Sequence, residues 1–377
     1  MYYSDFSGLR LSALGVGMMR LPVLHSDNNQ VDEALAAEMF EYALSHGVNY
    51  FDTAWGYHGG NSEIAAGHLL SKHPRESYFL ASKFPGYDLS TFSRKEEIFE
   101  KQLQKCGVES FDFYLFHNVC EMNISSYLDE SIGLHAYLME QKRLGRIRHL
   151  GFSAHGNLDT MKRFLEAYGR DMEFCQIQLN WLDWDFQNAR AKVELLNQWK
   201  IPIWVMEPVR GGSLIRLAPE HLQKLQARHP DWTPAEWAFR FLQGVPGVTV
   251  TLSGMSNPAQ LQENVATYEA RCPLSHEDQA LLLSIAREMT ARDTVPCTAC
   301  RYCTNHCPQG LNIPWLLELY NEHSYSGGGF LAPMALSALP EDKKPSACLG
   351  CRSCEAVCPQ NIKISEILSR FSGLLAK

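Results

Sequence analysis

Residues 111–153 read FDFYLFHNVCEMNISSYLDESIGLHAYLMEQKRLGRIRHLGFS. The stretch opens on an aromatic-rich run, FDFYLFH (111–117). A helix-period segment, SSYLDESIGLHAYLMEQKRLG (125–145), follows and ends at glycine, and IRHLGFS (147–153) is a second short apolar run. Two such runs joined by a helix form a βαβ unit, which lays the strands parallel.

The pattern continues in both directions. Upstream, YFDTA (50–54) follows the helical ALAAEMFEYALSHG (34–47), and SYFLASK (77–83) precedes RKEEIFEKQLQKCG (94–107). Downstream, IRHLGFS leads into LDTMKRFLEAYG (158–169), and FCQIQLN (174–180), IPIWVME (201–207) and GVTVTLS (247–253) each begin another unit. Gly47, Gly107, Gly145 and Gly169 stand at helix ends, as helix stops do. With LSALGVGMMRLP (11–22) as the first strand there are eight units, the number and size of a (β/α)8 TIM barrel. A doubly wound open sheet is the alternative. LGVGMM completes no G-x-G-x-x-G motif.

The totals narrow the class. Of 377 residues, 45% are hydrophobic and 20% charged, an ordinary globular balance. The net charge of −8 without a basic run argues against nucleic acid as partner. MYYSDFSGLRLSALGVGMMRLPV does not read as a signal peptide, and no apolar window suits a membrane span. Twelve cysteines without an evenly stapled pattern suggest a reduced, cytoplasmic protein. Cys106, Cys120, Cys175 and Cys272 read as buried small hydrophobes.

In a barrel, chemistry gathers at the C-terminal strand ends. Asp52, Thr53 and Tyr57 follow the second strand, Lys83 ends the third, and His117 the fourth. Ser153 ends the fifth, Gln176 and Asn180 belong to the sixth, Glu207 to the seventh, and Ser253 and Gly254 to the eighth. Asp52, Tyr57, Lys83 and His117 make chemical sense together. An ammonium lowers a neighbouring phenol's pKa, a carboxylate holds the ammonium, and an imidazole donates to a substrate oxygen. Such a set donates a proton to a carbonyl that is accepting hydride. Each residue alone has a blander reading, as loop packing, a solvated lysine or a structural histidine.

FDTAWGYHGGNSEIAAGHLL, SKFP, DFYLFHN and LGFS, in this order, resemble the aldo-keto reductase family over about residues 8–270. The resemblance implies a catalytic tetrad of Asp52, Tyr57, Lys83 and His117, with Tyr57 as acid/base. It also implies NADP bound in an extended pose. SGMSNPAQLQEN (253–264) resembles the family's cofactor signature, making Ser253, Gly254, Ser256, Gln260, Glu263 and Asn264 cofactor contacts. Ser153 and Gln176 match positions that hold the nicotinamide amide. Three positions depart from the family pattern: Ala154 where Asn is usual, Met206 where an aromatic ring stacks on nicotinamide, and Met255 where a basic residue is common. They leave NADP against NAD open. Met206 and Arg210 are further cofactor contacts, Arg210 through phosphate. Trp55, Phe84 and Trp181 lie near strand ends as pocket linings or core, and His58 and His155 as substrate contacts or bland loop residues.

The last eighty residues differ in kind. CTACRYCTNHCP (297–308) has the spacing C-x2-C-x2-C-x3-C-P, and CLGCRSCEAVCP (348–359) repeats it. This is the bacterial ferredoxin run for a [4Fe–4S] cluster. Zinc is the alternative, but structural zinc favours two separated ligand pairs. In two-cluster ferredoxins the fourth cysteine of each run serves the other cluster. That gives one set of Cys297, Cys300, Cys303 and Cys358, and another of Cys348, Cys351, Cys354 and Cys307. The long linker with IPWLLELYNEH (313–323) suggests a mainly α-helical ferredoxin-like domain. The expected organisation is a barrel over 1–273, a helical connector over 274–295 and a two-cluster domain over 296–377. The whole resembles ferredoxin-bearing members of the aldo-keto reductase family.

Three functions follow. The first is an oxidoreductase on small carbonyl or alcohol substrates, its clusters linked to a ferredoxin or other redox protein. The second is a conventional NADP-dependent reductase with structural clusters. The third is a low-turnover redox sensor or electron-transfer protein. Clusters carry single electrons and hydride carries two, so exchange between the halves requires a mediator such as a flavin. The strand-8 phosphate site suits FMN in principle.

Overall fold

The computed structural model describes residues 1–377 apart from 292–293, 298–300, 302, 359 and 376–377. It divides into two compact units, Met1–Leu281 and Leu282–Lys377.

The first unit opens with an antiparallel hairpin, β1 (Tyr3–Phe6) and β2 (Leu9–Ser12). Ser7 and Gly8 turn it with φ of 51° and 82°, the left-handed pair that matches strand twist in a two-residue turn. Eight parallel strands then close into a barrel: β3 (Leu14–Gly17), β4 (Tyr50–Asp52), β5 (Phe79–Phe84), β6 (Phe111–Val119), β7 (Ile147–Ala154), β8 (Cys175–Gln178), β9 (Ile203–Met206) and β10 (Val248–Ser253). β10 pairs with β3, which leaves the barrel itself without a free edge. That closure excludes the open-sheet alternative. The first strand begins later than expected, because Leu11 and Ser12 belong to the hairpin.

The barrel interior is filled by alternate residues: Tyr50, Ala81, Phe113, Leu115, Phe174, Trp204, Val250 and Leu252 form one buried cluster. Phe6 and Leu11 of the hairpin join that cluster. Phe6 lies edge-on to Trp204 at 5.1 Å and tilted against Phe113 at 5.6 Å. Because side chains alternate along a strand, the residue two places beyond each interior one also points inward. The pairings Asp52↔Ala81, Lys83↔Leu115, Leu115↔Gly151 and Ser153↔Gln176 then set a staircase. Asp52, Lys83, His117, Ser153, Gln176 and Met206 continue the interior rows upward to the strand ends.

The helical stretch expected over 125–145 is two helices, Ile124–Tyr127 and Leu134–Arg143. Asp129 accepts from the Ser131 backbone, and Gly133 turns left-handed between them. At Gly169 the backbone stays right-handed. Glycine is required there for space, since a Cβ would fall 2.7 Å from the Trp199 ring.

One helix, His276–Thr290, crosses the division between the units. Its first turn is tied to the barrel unit by Asp278, which accepts from Arg228 at 2.7 Å and from Ser275 at 2.7 Å.

The second unit is helical, as expected, with helices Ile313–Ser326, Leu331–Ser337 and Ile364–Leu375. The 51-residue sequence repeat is also a structural one. Arg301 and Arg352 share left-handed backbones, φ 64° and 60°, and so do Gly310 and Asn361, φ 59° and 53°. Ile313 and Ile364 each open a helix with the side chain buried. Two copies of one loop-to-helix device therefore pack around a common core of Leu311, Leu316, Tyr320, Ile362, Leu368 and Phe371.

Candidate functional site

At the top of the barrel, Lys83 Nζ donates to Asp52 Oδ1 at 2.6 Å and to the Thr53 carbonyl at 2.7 Å. Both side chains of the pair are buried. Burial works against the ammonium, but the charge of Asp52, helped by Tyr57, outweighs it, so the Lys83 pKa is raised. Lys83 Nζ lies 5.0 Å from the centre of the Tyr57 ring. Burial raises the Tyr57 pKa and Lys83 opposes that rise, with burial prevailing. The resting phenol therefore keeps its proton.

The His117 ring stands edge-on to Tyr57 at 6.1 Å and to Tyr87 at 5.4 Å. Burial, then the Lys83 charge, holds the His117 pKa well below the usual value, so the imidazole is neutral. Its Nδ1 is buried without a hydrogen-bond partner among the described residues. The Tyr127 hydroxyl donates to the His117 carbonyl at 2.6 Å and fixes the strand there. Gly86 leaves the room for it: a Cβ would fall 1.8 Å from that hydroxyl. Tyr87 and Tyr127 were not singled out in the sequence, where each reads as an ordinary aromatic.

A buried polar network backs Lys83. Gln102 Nε2 donates to the Lys83 carbonyl at 2.9 Å and to Glu63 at 2.7 Å, and Ser82 donates to Glu63 at 2.7 Å. Tyr114 closes it by donating to Gln102 Oε1 at 2.6 Å. The lysine's strand is thus held on both sides.

A cavity of about 500 Å³ opens beside Tyr57, lined among others by Arg20, Leu21, Pro22, His58 and Ser256. Arg20 is the residue the sequence reading missed. It follows β3, lies 3.9 Å from Glu207, and packs where a Cβ on Gly254 would meet it at 3.0 Å. A cation directly after a barrel strand was the available signal. His58 takes its bland role: its Nε2 accepts from Leu21 N at 3.2 Å and its Nδ1 meets the Asn28 carbonyl at 2.7 Å. Phe84 and Trp181 are fully buried, Phe84 against Phe92. Trp55 lies beneath Lys105, whose Nζ is 4.0 Å from the ring centre. His155 is half-buried, and burial lowers its pKa to about 4.

A profile of the Aldo/keto reductase family matches residues 13–287. The chain belongs to the aldo/keto reductase family. A 4Fe-4S dicluster domain profile matches residues 296–363, so this reductase carries a C-terminal ferredoxin-type domain. Among its relatives, the NADH-specific methylglyoxal reductase of Escherichia coli is 24% identical over 327 residues, covering 74% of this chain and 96% of that one. An uncharacterized oxidoreductase of Bacillus subtilis is 24% identical, covering 73% and 93%. Solved structures share the fold. The holo form of an aldo-keto reductase from Bacillus halodurans superposes with a TM-score of 0.62 at 24% identity, covering 76% of this chain and 96% of that one. A Klebsiella pneumoniae aldo-keto reductase in complex with NADPH gives 0.60 at 17%, covering 76% and 96%.

The reductase's other expected cofactor residues fall into two groups. Ser153 and Gln176 are buried side by side, Ser153 Oγ accepting from the Asn118 N–H at 2.8 Å. Gln176 Oε1 is buried without a partner among the described residues. Ser253 Oγ accepts from Asn264 at 3.0 Å, and Gln260 Oε1 accepts from the Ser256 N–H at 2.8 Å. These gather where Asn257 caps helix Pro258–Thr267. Met206 ends β9 half-buried. Glu263 accepts from the Thr233 hydroxyl, and Arg210 Nε donates to the fully buried Asp183 at 3.1 Å.

In the ferredoxin-type domain, Cys303 and Cys354 are buried in the core, and Cys297, Cys307, Cys348 and Cys358 pack partly buried against it. Cys351 is exposed, and Cys300 lies outside the described residues. Cys303 and Cys354, one from each motif, share that buried core. The described residues hold no group of three cysteine, histidine or carboxylate side chains poised for a single ion. Of the remaining cysteines, Cys106, Cys120 and Cys175 are buried as expected, whereas Cys272 is exposed.

Proposed function

We propose that this reductase converts a small carbonyl compound to its alcohol with NAD(P)H bound at the barrel top, and that two [4Fe–4S] clusters in the second unit link it to a one-electron carrier such as a ferredoxin. The observation that carries the first half is the buried Lys83–Asp52 pair at 2.6 Å beneath Tyr57.

NAD(P)H, when bound, supplies the hydride. The chain's residues do the rest. His117, neutral and with an unpartnered ring nitrogen, orients the carbonyl oxygen. Tyr57 gives its hydroxyl proton to that oxygen as negative charge develops there. Lys83 stabilises the phenolate left behind, and Asp52 keeps Lys83 charged and in place. Gln176 and Ser153 offer polar groups for a carboxamide, while Ser253, Gly254, Ser256, Gln260 and Asn264, with Arg20, offer a phosphate site. Cysteine thiolates in two matching loops suit iron–sulfur clusters, which supply single-electron transfer.

The E. coli relative's name makes methylglyoxal the first substrate to try. With an active carbonyl in hand, Tyr57→Phe is expected to lower reduction about 100-fold or more while leaving NADPH affinity within about twofold. Full turnover in that variant would contradict the assignment.

A further inference from the structure

Tyr87 has no part in the function proposed above, yet it is built into the catalytic end of the barrel. It stands in the link 85–88, between β5 and the turn Leu89–Arg94. That link is pinned along its length. The Gly86 N–H donates to the Phe84 carbonyl at 2.8 Å, the Asp88 N–H to the Pro85 carbonyl at 3.1 Å, and Thr91 Oγ1 to the same Pro85 carbonyl at 3.1 Å. From beyond β6, Asn123 Nδ2 donates to the Gly86 carbonyl at 3.0 Å and to the Asn118 carbonyl at 2.8 Å. Asn123 opens the helix Ile124–Tyr127, whose last residue donates to the His117 carbonyl. One short helix therefore fastens both the link that carries Tyr87 and the strand end that carries His117.

The two side chains meet. Their ring centres lie 5.4 Å apart with 84° between the planes, an edge-on arrangement that aromatic rings prefer. His117 Nδ1 makes no hydrogen bond among the described residues, so packing rather than a polar contact at that atom sets the angle of the ring. The far end of Tyr87 reaches a third residue. A Cβ on Gly56 would fall 2.4 Å from the Tyr87 hydroxyl oxygen and 3.3 Å from the ring carbon that bears it. Gly56 has φ −94° and ψ −3°, a backbone open to other residues, so glycine serves here to leave room for that phenol. Gly56 directly precedes Tyr57. Tyr87 is thus wedged between the loop of the proton donor and the ring of His117. Burial, helped by the charge of Glu63, raises its pKa to about 12, so it offers a ring rather than a second titrating group.

We propose that Tyr87 is a positioning residue for carbonyl reduction: packed between Gly56 and His117, its ring sets the angle at which the His117 imidazole meets the substrate oxygen. The inference rests on the role given to His117 above. Hydrogen bonds weaken steeply when misaligned, so a small rotation of the imidazole lowers the rate and spares cofactor binding.

The test is steady-state kinetics of the full-length, cluster-loaded protein on a carbonyl that the parent reduces. Tyr87→Leu, which removes the ring, should lower kcat about tenfold and leave NADPH affinity within about twofold. Tyr87→Phe, which keeps the ring, should retain most of the rate. Gly56→Ala should lower kcat by pressing on the Tyr87 hydroxyl. Tyr87→Phe in the same chain should restore much of that loss, because the nearest remaining ring carbon stands at 3.3 Å. A merely structural role would give no such rescue. A second readout needs no turnover: the ring NMR signals of His117, assigned by their loss in His117→Asn, should move in Gly56→Ala and return in the double variant to those of Tyr87→Phe alone. If thermal unfolding shows that Tyr87→Leu does not fold, the Gly56→Ala pair decides. Parental kcat in a folded Tyr87→Leu, a Gly56→Ala defect that Tyr87→Phe leaves in place, or His117 signals unmoved by Gly56→Ala would each overturn the assignment. Failure of the proposed function would appear instead as a parent without carbonyl turnover, and the His117 signals would then decide the contact by themselves.

Discussion

Lys83 Nζ and Asp52 Oδ1 meet at 2.6 Å with both side chains closed to solvent. A buried charge in such a place depends on its counter-charge, so removing one member leaves the other without one. Asp52→Leu is expected to lower unfolding free energy by about 3–5 kcal/mol, and Lys83→Met with Asp52→Leu together by clearly less than the sum. Urea unfolding measures this. A double-variant loss equal to the sum of the singles would mean the pair is not coupled.

The proton on Tyr57 sets the pH profile of carbonyl reduction. Burial raises its pKa above the ordinary tyrosine value and Lys83 pulls it back. The donor is protonated throughout the neutral range and is lost only above the ordinary tyrosine range. The rate of reduction should therefore hold from neutrality upward and fall at high pH. Lys83→Met removes the opposing charge, so the alkaline limb should move to still higher pH while the rate drops. A limb that moved toward neutrality would contradict the roles assigned.

Most of this site was legible in the sequence because it obeys a period of two. Asp52, Lys83, His117 and Ser153 extend strands whose apolar runs are readable, and parallel pairing brings their ends together. Contacts made across long loops were not readable. Arg210 Nε meets Asp183, 27 positions away, and a single sequence carries no sign of that pairing. The hairpin of Tyr3–Phe6 and Leu9–Ser12 was read partly as the first barrel strand, since strands of four residues with mixed burial show little alternation. Its Ser7–Gly8 turn was the available clue. The repeated cysteine spacing showed two matching loops directly, while the matching left-handed backbones at Gly310 and Asn361 needed coordinates.

His155 is half-buried as a neutral ring, and burial lowers its pKa to about 4, against about 6.5 when unfolded. Between those values the unfolded chain binds the extra proton, so stability falls as pH drops through this window. His155→Leu should flatten that decline by up to about 1.4 kcal/mol per pH unit. Thermal unfolding from pH 7 to pH 5 measures it. An unchanged slope would place the titration elsewhere.

Phe6 seals the barrel floor against Trp204, Phe113 and Phe174. Phe6→Ala should cost about 3–5 kcal/mol in unfolding free energy. NADPH affinity should hold, since the site lies at the opposite strand ends. A loss below about 1 kcal/mol would mean the hairpin only drapes the barrel.

The central claim is that the barrel and the iron–sulfur unit exchange electrons. The direct measurement is to prepare the full chain without oxygen, add NADPH, and follow the visible absorbance of the clusters over time. The expected result is bleaching of the clusters after NADPH is added. Clusters that stay oxidised beside a barrel reducing its carbonyl substrate at full rate would contradict it, and would make the clusters structural.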